Sequence, residues 1–153
     1  MAEIKFKPIG VVHNEIKTTG YRDCKDIVSE IEVDEKWTEL LDGIEEFSHI
    51  IILFWMHKVS RDTPPPTKVH PRGRADLPLV GLFATRAPQR PNPIGITTVK
   101  LLKRSGNVLT VQGLDAIDGT PVIDIKSYMI PNIARKDIRM PEWVAKLQKP
   151  PKP

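Results

Sequence analysis

The sequence predicts a mainly β protein, a small closed or nearly closed β-barrel of six or seven strands with one or two short helices. The 153 residues include 15 prolines, and because each proline fixes φ and removes a backbone donor, long helices are disfavoured. Apolar residues occur in short runs of strand length. Turn residues separate these runs, which is typical of small antiparallel barrels.

Strands are predicted where apolar residues alternate with polar ones or run together over strand length. The run at 48–58 is the most apolar and shows no alternation, so this strand is expected to be covered on both faces. Tight turns are expected at 105–107 and 118–121. The predicted strands are residues 4–12, 27–33, 48–58, 79–85, 95–103, 108–114 and 122–128.

Two short helices complete the predicted architecture. Asp34 is a favourable N-cap for a helix over residues 35–41, which Gly43 would end. Pro141 is a favourable first residue for a second helix that reaches Leu147.

Composition places the chain among ordinary globular proteins. Hydrophobic residues make up 40% and charged residues 27% of the chain, which excludes a disordered protein. A single cysteine, Cys24, excludes an internal disulfide, and no Cys/His spacing suits zinc. With no signal-peptide pattern and no long apolar run, we expect a soluble cytoplasmic protein without a membrane or metal partner. We expect one barrel domain over residues 1–140 and a short helix with a Pro/Lys tail over residues 141–153.

Charge is unevenly distributed along the chain. The net charge is +4, but residues 21–46 hold ten acids against three bases, whereas residues 58–90 hold seven bases against two acids. A basic stretch on one surface would attract phosphates. The alternative is a solvated loop whose charge is balanced by the acidic segment of a neighbouring chain.

Residues 81–95 are too unusual in composition to be explained by packing alone. An apolar run leads into three prolines and two arginines, and a loop stiffened in this way loses little entropy when it closes on a ligand. Arg86 and Arg90 supply planar donor forks for a carboxylate or phosphate. An ordered barrel corner whose arginines pair with acids is the alternative.

Residues 114–128 form the second unusual segment. Asp124 and Lys126 alternate with isoleucines, so both would project from one face and require partners if buried. A structural bridge from Asp124 to Lys126, or from Asp124 to an arginine, is the alternative to a ligand site. His57, at the end of the apolar strand, either lines a pocket or is a satisfied core residue.

Residues 83–95 together with 118–126 closely resemble the TsaA-like (TrmO) family, and matches at 9–12 and 47–57 extend the resemblance over about residues 6–130. The resemblance implies a small β-barrel that binds S-adenosylmethionine, usually as a homodimer, without the glycine-rich loop of Rossmann-like enzymes. Bacterial members methylate N6 of threonylcarbamoyladenosine at position 37 of certain tRNAs. They carry a further C-terminal domain that we do not expect here.

Carried over position by position, the resemblance implies cofactor contacts and a substrate surface. In that assignment, backbone groups of the Asp-Gly turn read the adenine edge, and an aspartate accepts hydrogen bonds from ribose hydroxyls or the ammonium group. The cofactor-binding residues are Tyr21, Arg22, Asp23, His57, Lys58, Arg86, Ile96, Leu114, Asp115, Ala116, Ile117, Asp118 and Gly119. Our candidates for binding tRNA are Arg61, Lys68, Arg72, Arg74 and Arg90.

The mechanism is a hypothesis at this point. The exocyclic nitrogen of an adenine is a poor nucleophile, so a group that accepts a hydrogen bond from its N–H would restore lone-pair character. Asn92 is our candidate for this catalytic acceptor, and no metal is needed. Two alternatives stay open: a module that senses or presents S-adenosylmethionine without methyltransferase activity, and a methyltransferase for another small molecule or RNA.

Overall fold

The computed structural model describes residues 1–150. In that part of the chain the strands are β1 (Gly10–His13), β2 (Val28–Val33), β3 (His49–Trp55), β4 (Lys68–Val69), β5 (Val80–Gly81), β6 (Ile94–Ser105), β7 (Val108–Gln112) and β8 (Pro121–Ser127). The 3₁₀ segments are Glu35–Leu41, Ile44–Glu46, Pro71–Gly73, Leu82–Ala84 and Ile130–Asn132, and the α-helix α1 spans Glu142–Lys146.

The chain divides into two compact units. The first contains Met1–Lys58 and Pro93–Tyr128, and the second contains Val59–Asn92 and the residues from Met129 onward. The predicted boundary between residues 1–140 and residues 141–153 stays a prediction, and the last part of the predicted tail, residues 151–153, lies outside the described residues.

The first unit is a closed antiparallel barrel with the strand order β1-β2-β7-β6-β3-β8. This confirms the predicted fold class. Closure rests on β1, which pairs with β8 through Gly10 opposite Val122 and Val11 opposite Pro121. A closed barrel leaves no strand edge unpaired, so backbone pairing and inward side chains together define the core.

Inward-facing side chains of the barrel strands form the core. In β3, Ile50 and Ile52 are fully buried and Phe54 is 4% exposed, while the residues between them are half-buried. The expectation that this strand is covered on both faces was therefore wrong, because the barrel buries its inner face and the outer face of β3 is only partly covered. In β2 the predicted alternation is confirmed by buried Ile31 and Val33.

Several predicted strands are shorter in the structure, and two of them lose most of their predicted length. The first begins at Gly10, and Ile4 and Phe6 lie exposed because β1 pairs with its neighbours only from Gly10 onward. The apolar run at 79–85 forms only the two-residue strand β5 before it turns into a 3₁₀ segment, and Phe83 is 76% exposed. This run belongs to the second unit, where it pairs with β4 alone, and is not a core strand of the barrel.

The predicted helices form at the expected places, with one difference in type. Asp34 caps its segment by accepting a hydrogen bond from the Lys36 amide at 3.1 Å, but the segment is a 3₁₀ helix. Gly43 follows in the left-handed region at φ 83°. The second helix is one residue shorter than predicted at each end, because Pro141 is extended and precedes α1 and Leu147 follows it. Within the described residues, no helix combines the length and apolar character that a membrane crossing requires.

Gly95 is the position in β6 where the core tolerates no side chain. Gly95 lies opposite Phe54 in the β3–β6 pairing, and a Cβ at this position would lie 2.3 Å from the Phe54 ring. Because Phe54 is buried in the core, the ring has little freedom to withdraw.

We expect Gly95→Ala to destabilise the protein by about 1–3 kcal/mol, the usual cost of overpacking a core. The measurement is urea unfolding followed by tryptophan fluorescence. Gly81→Ala is the matched control, because Gly81 has ordinary φ and a Cβ there would meet no atom within 4 Å. Equal stability of the Gly95→Ala and parental proteins would contradict the packing argument.

Candidate functional site

The predicted cofactor segments of the barrel unit meet at one end of it. Because all neighbouring strands are antiparallel, β1, β3 and β7 end where β2, β6 and β8 begin. We call this the site end. The segment that contains Tyr21–Asp23 connects β1 to β2, the Leu114–Gly119 turn connects β7 to β8, His57 and Lys58 follow β3, and Ile96 lies near the start of β6.

Backbone hydrogen bonds fix the Leu114–Gly119 turn against β1. The Asp118 amide donates to the Ile16 carbonyl and the Gly119 amide donates to the Val12 carbonyl, both at 2.8 Å. The side chains of Leu114 and Ala116 are buried in the core. These two residues can therefore offer only their backbone groups to a ligand, as the sequence-based assignment assumed for this turn.

Asn14 joins the loops of the site end, and the sequence analysis missed it. Its side-chain amide donates to the Ala116 carbonyl at 2.8 Å and to Ser29 Oγ at 3.0 Å. Its Oδ1 accepts a hydrogen bond from the Ile16 amide at 3.0 Å. An asparagine that bonds the amide two residues onward is common at turns, so Asn14 directly after the apolar run of β1 was a usable signal.

Both carboxylate oxygens of Asp118 have partners within the protein. Oδ1 accepts from the Asn14 amide at 3.0 Å and Oδ2 lies 2.7 Å from Lys17 Nζ. The hydrogen bond from Lys17, followed by the one from the Asn14 amide, lowers the pKa of Asp118 below its usual range. The ionised carboxylate thus positions the turn.

Cys24 connects the Tyr21–Asp23 segment to the β7–β8 turn. Its buried thiol donates to Asp115 Oδ1 at a sulfur–oxygen distance of 3.5 Å. Burial, followed by the charge of Asp115 and this hydrogen bond, raises the Cys24 pKa to about 11. Asp115 itself is exposed, so its carboxylate is accessible to a ligand while its position is set by Cys24.

The three residues before Cys24 form a loop with a largely open surface. Tyr21 is 74% exposed. The half-buried Arg22 donates from its guanidinium to the Thr18 carbonyl, and Asp23 Oδ1 accepts from the Lys25 amide at 3.1 Å. The local bonds shape the loop, and its exposed groups face solvent at the site end of the barrel.

His57 carries an unused polar atom at the end of β3. Its Nδ1 is buried and has no hydrogen-bond partner in the part of the chain that the structure describes. A buried polar atom without a partner costs about 1–3 kcal/mol, so such atoms commonly belong to ligand sites. Burial, with a smaller effect from Lys58, lowers the His57 pKa, which keeps the imidazole neutral at pH 7.

Ile96 gives the site end an exposed apolar surface. It lies opposite Leu53 in the β3–β6 pairing and is 53% exposed. A neutral imidazole with a free nitrogen, the backbone groups of the turn, the Asp115 carboxylate and an apolar side chain suit a nucleoside with polar substituents. This set fits the cofactor that the resemblance implies.

Lys58 is exposed after the end of β3. Four other predicted site residues, three cations and one amide, are exposed in the second unit. The second-unit residues are Arg61, Lys68, Arg86 and Asn92. The structure therefore leaves the side chains of Arg86 and Asn92 accessible within their own unit.

The other predicted arginines hold their own unit together. Arg74 donates to both Asp76 carboxylate oxygens, at 3.0 and 2.6 Å, and to the Lys146 and Lys149 carbonyls. Arg72 donates to the Leu147 carbonyl at 2.6 Å. The hydrogen-bonded ion pair with Arg74 lowers the Asp76 pKa. These contacts give both arginines structural partners within their own unit.

Arg90 is also engaged in its own loop. Its guanidinium donates to the Thr85 and Ala87 carbonyls, at 3.0 and 3.2 Å, and lies 5.6 Å from the centre of the Phe83 ring. In the barrel unit, Lys126 lies 2.8 Å from Asp124. That distance agrees with the structural bridge considered for the second unusual segment.

Residues 19–132 match the family described as the tRNA-methyltransferase O N-terminal domain. A probable S-adenosyl-L-methionine-binding protein of Methanothermobacter thermautotrophicus is 43% identical over 130 residues, covering 82% of this chain and 90% of that protein. An S-adenosyl-L-methionine-binding protein of Archaeoglobus fulgidus is 44% identical over 130 residues, covering 80% of this chain and 88% of that protein.

Two further matches are to longer proteins. The mouse tRNA (adenine(37)-N6)-methyltransferase is 48% identical over 89 residues, which are 58% of this chain and 20% of that enzyme. The crystal structure of TrmO from Pseudomonas aeruginosa superimposes with a TM-score of 0.72 at 30% identity, over 90% of this chain and 62% of that chain. This chain therefore spans less than two thirds of that TrmO.

Cys24 should react slowly with alkylating reagents in the folded protein. With its pKa near 11, the reactive thiolate is about a hundredfold rarer at pH 8.5 than for an ordinary thiol. We expect labelling by iodoacetamide, measured by mass spectrometry, to be at least about a hundredfold slower than in urea. Asp115→Asn should speed it, and equal rates in folded and unfolded protein would contradict the assignment.

Proposed function

Because the chain belongs to the tRNA-methyltransferase O family, we propose that it is an S-adenosylmethionine-dependent methyltransferase that modifies N6 of threonylcarbamoyladenosine at position 37 of tRNA. The observation that carries the proposal is the meeting of the β1–β2 segment, the end of β3, the start of β6 and the β7–β8 turn at one end of the barrel. The mouse relative, named a tRNA (adenine(37)-N6)-methyltransferase, supports N6 of the adenine at position 37 as the site of methylation.

The cofactor is S-adenosylmethionine, for which the archaeal relatives are named. Bound there, it supplies an electrophilic methyl group on a sulfonium sulfur. In our proposal the Leu114–Gly119 backbone reads the adenine edge, and Asp115 accepts from ribose hydroxyls or the ammonium group. Ile96 covers the purine, and His57 Nδ1 hydrogen-bonds the cofactor. The remaining proposed cofactor contacts of the barrel unit are Tyr21, Arg22, Asp23 and Lys58. Arg86 belongs to the second unit and is proposed from the family resemblance alone.

His57→Ala should weaken S-adenosylmethionine binding three- to tenfold, the loss of about one neutral hydrogen bond. Isothermal titration at pH 7.5 measures it. His57→Asn, whose amide can occupy the place of Nδ1, should keep most of the affinity. Parental affinity in His57→Ala with an unchanged melting temperature would contradict this role.

The pH dependence of binding should follow the lowered His57 pKa. The neutral imidazole persists below about pH 6.5, the ordinary titration point. Parental affinity is therefore expected to stay constant from pH 8 to about 6.5 and to fall only at lower pH, where an imidazolium would repel the sulfonium. The Ala variant should lack this fall.

Asn92 is the proposed acceptor for the N–H of the adenine amine. The exposed side-chain carbonyl of Asn92 would accept a hydrogen bond from the N6–H group and so orient the nitrogen. Since an amide does not titrate, the proton that leaves N6 would pass to solvent. The residue is then needed for methyl transfer and is dispensable for cofactor binding.

We expect Asn92→Ala to bind S-adenosylmethionine with parental affinity and to lose at least about a hundredfold in methyl transfer, the usual cost of one oriented transition-state contact. Mass spectrometry of nucleosides from incubated tRNA measures the product. Gln89→Ala, an exposed amide in the same loop, is the matched control. Transfer at the parental rate by Asn92→Ala would exclude the role.

A second candidate function is a module that binds and presents S-adenosylmethionine without transferring its methyl group. It is favoured by the names of the archaeal relatives, which state binding alone. Cofactor binding without any methylated nucleoside would select this function. The homodimer is a proposal carried by the family resemblance, and sedimentation equilibrium tests it. The cytoplasmic location is a proposal carried by the sequence pattern.

A further inference from the structure

The outer wall of the barrel carries an open depression of about 390 Å³ that none of the preceding assignments uses. Its lining residues all belong to the barrel unit. They are Lys25, His49, Thr98, Lys100, Gln112 and Gly113.

Strand register explains why these side chains meet. Lys100 of β6 lies opposite His49 of β3 on one side and opposite Gln112 of β7 on the other. Thr98 is the next residue on the same face of β6, since side chains alternate along a strand. Lys25 approaches from the β1–β2 segment, close to Gly113. The depression is thus built by three neighbouring strands and one loop.

The chemistry of the lining is that of an anion site. None of its residues is acidic, and Lys100 is exposed with no ion pair among the described residues. Lys25 pairs with Asp23 at the long distance of 3.9 Å. His49 places Nδ1 2.8 Å from Ser48 Oγ, which leaves Nε2 directed elsewhere. Two ammonium groups with neutral donors between them suit a phosphate.

We propose that this depression holds a backbone phosphate of the RNA substrate. The choice of RNA rests on the proposed function. Thr98 and Lys100 follow Ile96 on the exposed face of β6, and four residues of strand span about 13 Å. A strand of RNA whose base enters the site end can therefore continue along β6 into the depression.

The next position in the row across the strands adds an aromatic surface. The Tyr128 ring lies 6.0 Å from the His49 ring, and the Tyr128 amide lies within hydrogen-bond distance of the His49 carbonyl at 3.4 Å. Single-stranded nucleic acid is commonly held by cations along the backbone and by aromatic rings under the bases. Phosphate groups in the depression and a base near Tyr128 combine both contacts.

Contacts in the second unit strengthen the case for these lysines. The guanidinium groups of Arg74 and Arg90 donate to carbonyl groups of their own unit, so their donors are partly used. The ammonium group of Lys100 has no such engagement among the described residues. The barrel wall therefore contributes to substrate binding beside the basic stretch of the sequence.

The test measures binding of a fluorescein-labelled RNA hairpin of anticodon stem-loop sequence by fluorescence anisotropy between about 50 and 200 mM salt. We expect Lys25→Ala with Lys100→Ala to weaken binding by tenfold or more at low salt. The slope of log K against log salt should become shallower by about 0.7 to 0.9 for each lysine. Titration with S-adenosylmethionine should give parental affinity in the same protein.

Lys103→Ala is the matched control, because Lys103 is an exposed lysine of the same strand outside the depression. Parental RNA affinity and slope in the double variant would overturn the proposal. So would an equal loss in Lys103→Ala, which would indicate general charge attraction, or a loss that follows dissociation of a dimer. RNA binding that depends on the two lysines in a protein without methyl transfer would keep this inference and refute the proposed reaction.

Discussion

The closure of the barrel between β1 and β8 is the constraint on which the rest of the structure depends. Only two residue pairs join these strands, so the neighbouring bonds from the Ile9 amide to Val122 and from the Val12 amide to Thr120 extend a short seam. Gly10 lies within this seam, and a Cβ on it would meet the Glu32 carbonyl of β2, the other neighbour of β1, at 2.5 Å. The Asp-Gly turn is bonded to the same strand β1, so the pairing that closes the barrel also fixes the proposed cofactor surface.

Around this seam, some polar groups are hydrogen-bonded within the protein, and others remain available to a ligand. Asp118 and Asn14 satisfy one another and the neighbouring backbone, and they give the turn its position. His57 and Asp115 follow β3 and β7 at the site end. His57 Nδ1 has no hydrogen-bond partner among the described residues, and the Asp115 carboxylate is exposed. Hydrogen-bonded residues that hold the turn, next to polar atoms available to a ligand, are the arrangement expected for a preorganised binding surface.

Sequence patterns identified the barrel because hydrophobic alternation and turn residues are local signals, as at Ile31, Val33 and Gly43. They failed where tertiary pairing decides, as at Ile4 and Phe6, which find no strand partner, and at Phe83, which lies in a separate unit. At the site, motif similarity selected segments that the topology does gather at one end. It did not include Asn14, although an asparagine directly after β1 is a local turn signal. It could not reveal the depression around Lys100, whose lining residues come together across strands.

The long connection between Lys58 and Pro93, which joins β3 to β6, can change during evolution without disturbing the barrel. β3 and β6 pair with each other up to Trp55 and Ile94, and the Met56 amide donates to the Pro93 carbonyl at 2.8 Å. The barrel thus completes its own strand pairing without the segment 59–92. This segment contains Arg86 and Asn92. Selection can lengthen, shorten or exchange that segment while the barrel keeps its pairing. The barrel can in this way keep its cofactor-binding surface while exchange of this one segment replaces the residue that we propose as the hydrogen-bond acceptor, Asn92.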